Sequence, residues 1–210
     1  MSAKHCCADK WARRRKILKR IFWGIVIVGS IALVIFLILR AIFKPCNPNF
    51  ILQDATVYAF NVTSPNLLTS TFQVTICSSN PNGRIGVYYD KLDVYANYGN
   101  QQITLRTAIH PTYQGHKDSN VWSPFIYGTD VPIAPYNALS LSQDQANGAV
   151  LLIIEIDGAV RFKAGSFIYG RQHLNVRCRA YINFGTGTNG IVVGDNAVKY
   201  QFQQSCSVSA

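Results

Sequence analysis

Hydrophobic positions along this chain follow two different rules. Near the N-terminus they are continuous. Ile21 to Leu39 reads IFWGIVIVGSIALVIFLIL, nineteen residues with no charge and with Ser30 as the one polar side chain. As a helix this stretch rises roughly 28 Å, close to the hydrocarbon thickness of a bilayer. Inside lipid every backbone amide must be paired within the segment, which a helix achieves. A core helix would carry a polar stripe, and a cleaved signal would have a shorter apolar run followed by a small-x-small site. Neither fits, so the pattern predicts an uncleaved transmembrane helix within residues 21–43.

From Phe50 onward the period becomes two, the mark of half-buried antiparallel strands. Ala55, Val57 and Ala59 alternate with Thr56, Tyr58 and Phe60, and Phe72, Val74 and Ile76 with Gln73, Thr75 and Cys77. After the turn signal Asn80-Pro81-Asn82-Gly83 come short strands at Ile85–Tyr89, Leu92–Ala96 and Ile103–Leu105. His110 to Asn120 reads as a polar loop. Val121 to Ile133 contains Pro124 and Pro132 and reads as an edge strand or irregular segment. Asn137 to Asn147 is a short helix that Gly148 could end. Ala149 to Ile156 is a core strand, Asp157-Gly158 a hairpin turn, and Val160 to Lys163 the returning strand. The cleanest alternation sets Leu174, Val176, Cys178, Ala180 and Ile182 against His173, Asn175, Arg177, Arg179 and Tyr181. A Gly/Thr loop, Gly185 to Gly190, leads to a last strand near Ala197–Phe202. About eight short strands and one helix predict an all-β sandwich.

Charge changes this picture by its location. The formal net charge is +10, yet residues 1–44 hold ten Lys/Arg and one acid, whereas residues 45–210 hold ten Lys/Arg and nine acids. The long C-terminal part is nearly neutral, which excludes a basic nucleic-acid-binding domain there. Eight of the cations precede the apolar run, so the positive-inside rule puts residues 1–20 in the cytosol and the C-terminal domain outside. The cluster Arg13, Arg14, Arg15, Lys16, Lys19 and Arg20 would also attract anionic lipids of the inner leaflet. Pro45 and Pro48 make residues 44–49 a stiff spacer before a domain at 50–210.

Topology in turn organises the candidate chemistry. Asn61-Val62-Thr63 is a glycosylation sequon on the outer side, beside a turn at Pro65 and Asn66. Cys46, Cys77, Cys178 and Cys206 all lie on the oxidising side. A Cys178–Cys206 bridge would staple the last strand to its neighbour, and Cys46 and Cys77 could pair or stay free. Cys6 and Cys7, in the basic juxtamembrane head, are candidates for S-acylation. Catalysis has little support: there is no nucleophile-elbow or zinc-protease motif, and Glu155 sits in an apolar strand. His110, His116 and Asp118 lack a further metal ligand. Gly185 to Gly190 lacks the lysine and helix of a phosphate loop. No cofactor is expected. His173, Arg177 and Arg179 form a basic stripe that could meet an anionic ligand.

The basic head, the apolar run, Pro45 to Phe50 (PCNPNF) and above all Asn80-Pro81-Asn82 followed by Arg84-Ile85-Gly86-Val87-Tyr88-Tyr89-Asp90 resemble the plant NDR/HIN-like (harpin-induced-like) membrane proteins with a late-embryogenesis-abundant type 2 domain. The segment Gly158 to Cys178 and the late Cys206 fit as well. The resemblance implies an immunoglobulin-like or fibronectin III-like sandwich outside the plasma membrane. It also implies a non-enzymatic role in pathogen defence, the hypersensitive response and stress signalling, with an unknown protein or cell-wall partner. Some members are proposed to adhere to the wall through integrin-type tripeptides. This chain has neither Arg-Gly-Asp nor Asn-Gly-Asp, its nearest string being Val193-Gly194-Asp195. The alternative is a lipid- or small-ligand-binding sandwich that protects membranes during dehydration.

Overall fold

The structure is a computed structural model. It describes residues 3–42, 45–63, 66–184, 190–193 and 197–209, and within the N-terminal helix the side chains of residues 16–38. The chain divides into two compact units, Met1–Lys44 and Pro45–Ala210.

The first unit is a single helix, α1 (Ala3–Ile42). It runs through the basic head as well as the apolar stretch, so there is no structural break at residue 20. Lys16–Ile38 is long and apolar enough to cross a membrane, and none of it is buried against protein. The hydroxyl of Ser30 donates to the carbonyl of Ile27 at 2.8 Å, so the one polar side chain of the stretch is satisfied within the helix.

The second unit holds thirteen strands among the described residues: β1 (Asn49–Thr63), β2 (Leu67–Ser79), β3 (Ile85–Tyr98), β4 (Gln101–Gln102), β5 (Thr107–Ile109), β6 (Thr112–Gln114), β7 (Ser119–Trp122), β8 (Phe125–Pro132), β9 (Ala149–Ala164), β10 (Phe167–Asn183), β11 (Ile191–Val193), β12 (Ala197–Ser205) and β13 (Ser207–Ser209). A helix, α2 (Pro135–Ala146), precedes β9. All pairings are antiparallel. One sheet runs β11-β12-β1-β2-β7, with β8 also on β2; the other runs β13-β10-β9-β3-β4, with β5 and β6 also on β3. Their inner faces share one core that includes Leu52, Phe72, Ile76, Val87, Leu92, Leu152, Ile156, Phe162 and Val176. Each such fully buried side chain contributes about 1.5–3 kcal/mol relative to exposure.

The strands expected at Ile85–Tyr89 and Leu92–Ala96 are one strand, β3, with a bulge at Asp90, and four further elements differ from the sequence reading. β1 is one long strand whose inward set changes phase twice. Phe50 and Leu52 face in, then Ala55 and Val57, then Phe60, because bulges lie between Leu52 and Asp54 and between Val57 and Ala59. Phe60 is therefore a core residue rather than a member of the solvent set. The loop expected at His110–Asn120 is interrupted by β6 and the start of β7, with β5 just before it. These strands are too short for periodicity to register. Ile103–Leu105 is not a strand, although Ile103 is buried.

The fourth difference concerns Asp157-Gly158, which is no turn. β9 continues straight through it, with Gly158 opposite Leu92 on one side and Leu174 on the other. The neighbouring β3 bulges between Tyr89 and Lys91. A Cβ on Gly158 would come within 1.9 Å of the Lys91 carbonyl oxygen. The glycine serves a close backbone approach, the other use of that residue in a strand. The true hairpin turn is Gly165-Ser166, with Gly165 at φ +58°.

The two sheets are joined at one edge by a disulfide. β12 and β13 belong to different sheets, and only Cys206 separates them. Its backbone amide donates to the Phe50 carbonyl of β1 at 2.9 Å, while its sulfur is bonded to Cys178 of β10. The bridge thus links sheet to sheet as well as strand to strand, and contributes roughly 2–4 kcal/mol. Cys46 and Cys77 are free thiols.

Gly158→Ala is expected to destabilise the domain by about 1–3 kcal/mol, because the added methyl must displace the backbone of β3. Urea denaturation followed by far-ultraviolet circular dichroism reads this as a lowered midpoint. An unchanged midpoint would be incompatible with the close approach.

Candidate functional site

The densest arrangement of polar side chains lies where the chain passes from β2 to β3. Proline at 81 fixes the turn, and the asparagines on either side complete it. Asn80 is buried, and its amide nitrogen donates to the carbonyls of Ile85 and Gly115, both at 2.8 Å. Its side-chain oxygen accepts from the backbone and side-chain amides of Asn82, at 3.0 and 2.9 Å. Asn82 in turn brackets Cys46: it accepts from the Cys46 amide at 2.9 Å and donates to the Cys46 carbonyl at 2.7 Å. Backbone bonds Asn80 N to Asp118 O and Lys117 N to Asn82 O add the β6–β7 loop. Asn-Pro-Asn therefore ties three segments together: the spacer after α1, the β2–β3 crossing and the β6–β7 crossing.

Beneath this node sits a buried triad. The Tyr89 hydroxyl lies 2.7 Å from Ser78 Oγ and donates to Gln114 Oε1 at 2.7 Å. Gln114 Nε2 donates to the carbonyls of Ser78 and Asp118. Burial pushes the Tyr89 phenol well above its ordinary range, partly offset by the Ser78 bond. Tyr88 points the opposite way and packs on Tyr113, ring centroids 4.5 Å apart. The Tyr113 hydroxyl occupies the space that a Cβ on Gly86 would need, at 2.3 Å. Asp90 is the extra residue of the β3 bulge, and it receives Arg161 in a forked pair with Nε–Oδ2 at 2.7 Å.

The basic stripe lies on the outward face of β10, and β9 supplies its counter-charges. Arg177 Nε is 3.0 Å from Glu155 Oε1, and His173 Nε2 is 2.8 Å from Asp157 Oδ1. Glu155 also accepts from the Tyr95 hydroxyl at 2.7 Å, and Asp157 pairs with Arg106 at 3.1 Å. Arg106 lies over the Tyr95 ring at 4.4 Å. Arg177, Glu155 and Tyr95 are register partners on three adjacent strands, so this is a cross-strand ladder. Two of the three stripe residues are thereby compensated, and Arg179 is opposite Ile153.

Asn61 is exposed within β1, opposite Thr69, rather than in the turn itself. His110, His116 and Asp118 do not converge, and among the described residues no group of three His, Cys, Asp or Glu side chains is placed to hold a metal ion. The side chains of Cys6, Cys7, Arg13, Arg14 and Arg15 lie outside the described residues, as do Pro65, residues 185–189, Gly194 and Asp195. Lys16, Lys19 and Arg20 are exposed on α1. Sequence reasoning named Asn80, Pro81, Asn82, Tyr88, Tyr89 and Asp90, and Cys46 as a cysteine that could pair, but it missed Ser78, Gln114 and Tyr113, the contact of Asn82 with Cys46 and the pairing of Asp90 with Arg161. Arg161 lies 71 positions from Asp90, and no local pattern announces such a pair.

A two-sheet antiparallel domain crossed by this asparagine node defines a class that comparison with known proteins identifies. Residues 75–180 match the family model described as late embryogenesis abundant protein, and the chain belongs to that family. Within it, the chain is one of the NDR1/HIN1-like proteins. It is 61% identical over 205 residues to NDR1/HIN1-like protein 1 of Arabidopsis thaliana, covering 97% of this chain and 98% of that one. It is 60% identical to NDR1/HIN1-like protein 12 over 88% of this chain and 89% of that one, and 36% identical to NDR1/HIN1-like protein 26 over 88% and 87%, both from the same plant.

Two outcomes follow from the geometry. Asn80→Ala leaves the Ile85 and Gly115 carbonyls without their donor and should cost about 2–3 kcal/mol, read as a lowered denaturation midpoint. Tyr95 is pushed up to about 12, first by burial and then by its bond to Glu155. A phenol whose folded pKa exceeds its unfolded value stabilises the fold fully below that unfolded value, 10.0 here, and loses the contribution as pH rises toward 12. Wild type should thus lose stability between pH 10 and 12 more steeply than Tyr95→Phe. Parallel stability curves would rule out the coupling.

Proposed function

We propose that this chain is a non-enzymatic, single-pass, type II plasma-membrane protein of plant defence and stress signalling. Its β-domain is extracellular and acts as a binding or scaffolding module toward wall or receptor partners. The observation that carries this reading is α1: an exposed apolar span with its cations concentrated on the N-terminal side, in a member of the NDR1/HIN1-like group. The Cys178–Cys206 disulfide supports an oxidising compartment for the domain. The two sheets with five crossings between them support an immunoglobulin-like or fibronectin III-like class of sandwich. Glu155 and Asp157 on the outer face of β9 are paired with Arg177, His173 and Arg106, which favours a structural or recognition role over catalysis. In this reading Asn61 carries a glycan, Cys6 and Cys7 are acylated, and Arg13 to Arg20 rest on the inner leaflet.

The test uses plant cells expressing the full chain with different tags at the two ends. Protease added to intact protoplasts should remove the C-terminal tag and spare the N-terminal one. Asn61→Gln should abolish the mobility shift produced by an N-glycosidase. Protection of the C-terminal tag would reject the topology, and an elicitor response unaltered in plants lacking the protein would reject the defence role.

A further inference from the structure

The tip of the β9–β10 hairpin is apolar and uncovered. Phe167 is 80% exposed and Ile168 49%. Phe167 is opposite Ala164 and so belongs to the inward side of its sheet, yet it lies past the end of the core. A Cβ on Gly165 would meet nothing within 4 Å, as expected of a turn that projects into open space. Burying a phenylalanine gains roughly 1.5–3 kcal/mol relative to exposure, so a large ring left at a projecting turn is a candidate contact with something else.

The fold states which end of the domain this is. Ala164, the last residue of β9, is opposite Ile85, the first of β3. Ile85 is bonded to Asn80, Asn80 to Asn82, and Asn82 brackets Cys46. The hairpin tip and Cys46 thus share one end. Helix α1 ends at Ile42. The four residues from Ile42 to Cys46 span at most about 14 Å, which is the covalent limit on how far Cys46 can lie from the end of α1.

Charge at this end is one-sided. Arg84, Lys117 and Arg171 are exposed, and Lys163 lies 5.4 Å from the Tyr113 ring beside Arg161. Lys117 reaches over Gly83. These are five of the ten cations of residues 45–210. The acids near them are Asp90, which is paired with Arg161, and Asp118, whose oxygens accept from the amides of Gly115 and Ser119. His116 is exposed in the same loop. Apolar residues at a turn with a basic collar match the two layers of a lipid surface, acyl chains beneath phosphates.

We infer that the Gly165–Ile168 turn is a second membrane contact. Phe167 and Ile168 enter the interface of the leaflet from which α1 emerges, and Arg84, Lys117, Lys163 and Arg171 engage phospholipid phosphates. This rests on the reading of α1 as a transmembrane anchor. The consequence is orientational: one span leaves a domain free to tumble, whereas a span plus an inserted turn fixes which faces meet the exterior.

The experiment uses the full chain reconstituted in vesicles of phosphatidylcholine and phosphatidylserine. The photo-crosslinker p-benzoylphenylalanine is placed singly at position 167, at 28 within α1, or at 58, where Tyr58 is an exposed aromatic on the other sheet. Adducts are identified by mass spectrometry. Lipid adducts are expected at 28 and 167, and at 167 at least about fivefold above 58. Adducts at 28 with none at 167 above the level at 58 would overturn the contact and leave the anchor standing. Absence at 28 would remove the anchor and the contact with it. Adducts at 167 joined to a second protein copy instead of lipid would also overturn it. With Lys163→Glu and Arg171→Glu combined, lipid adducts at 167 should fall about tenfold, while adducts at 28 stay constant. An unchanged yield at 167 would eliminate the phosphate collar.

Discussion

Backbone polar groups taken out of water must be paired, and this obligation shapes every part of the chain. In α1 the helix pairs each amide with a carbonyl four residues away, and Ser30 returns its hydroxyl to the backbone. In the β-domain the ladders do the same, except where the chain leaves one sheet for the other. At the crossing from β2 to β3 the side-chain amides of Asn80 and Asn82 donate to the carbonyls of Ile85, Gly115 and Cys46. A primary amide is suited to this role, since it donates and accepts at once and carries no charge to desolvate. That is why an Asn-Pro-Asn turn, rather than a charged one, can sit buried at the root of three segments.

The same economy appears on the outer face of the sheet built on β3, β9 and β10. Glu155 and Asp157 lie on a strand whose other side faces the core; Glu155 is matched by Arg177 and the Tyr95 hydroxyl, and Asp157 by Arg106 and His173. The cations of β10 look like a basic surface when β10 is read alone. Beside β9 they become half of a ladder. Net positive charge instead gathers at the end that holds Cys46 and the β9–β10 turn, where the local acids are already engaged. A domain with a balanced total thus has a polarity, its basic end being the one that holds Cys46.

How much was legible depended on whether a feature is local. The apolar run of α1, the alternation of β10 and the helix near α2 can all be read from neighbours within a few residues. Bulges defeat such reading, because one inserted residue reverses the phase of everything after it. Phe60 was placed on the wrong face for this reason. Asp157-Gly158 has the composition of a hairpin turn, yet its glycine answers to the Lys91 carbonyl on another strand. Asp90 was named as part of a motif, but its partner Arg161 could be identified only once β9 had been laid beside β3.

The sequence by itself determined the division into a lipid-compatible helix and a two-sided β-domain and the uneven distribution of charge between them. These follow from periodicity and composition, which act over a turn of helix or a pair of strand residues. The tertiary structure alone decided what individual residues touch: that Asn82 grips Cys46, that Cys206 ties two sheets as well as two strands, and that Phe167 projects at the end of the domain that holds Cys46. Those facts depend on register and on which strands are neighbours, and long-range pairing of that kind is settled by the packing of the whole core.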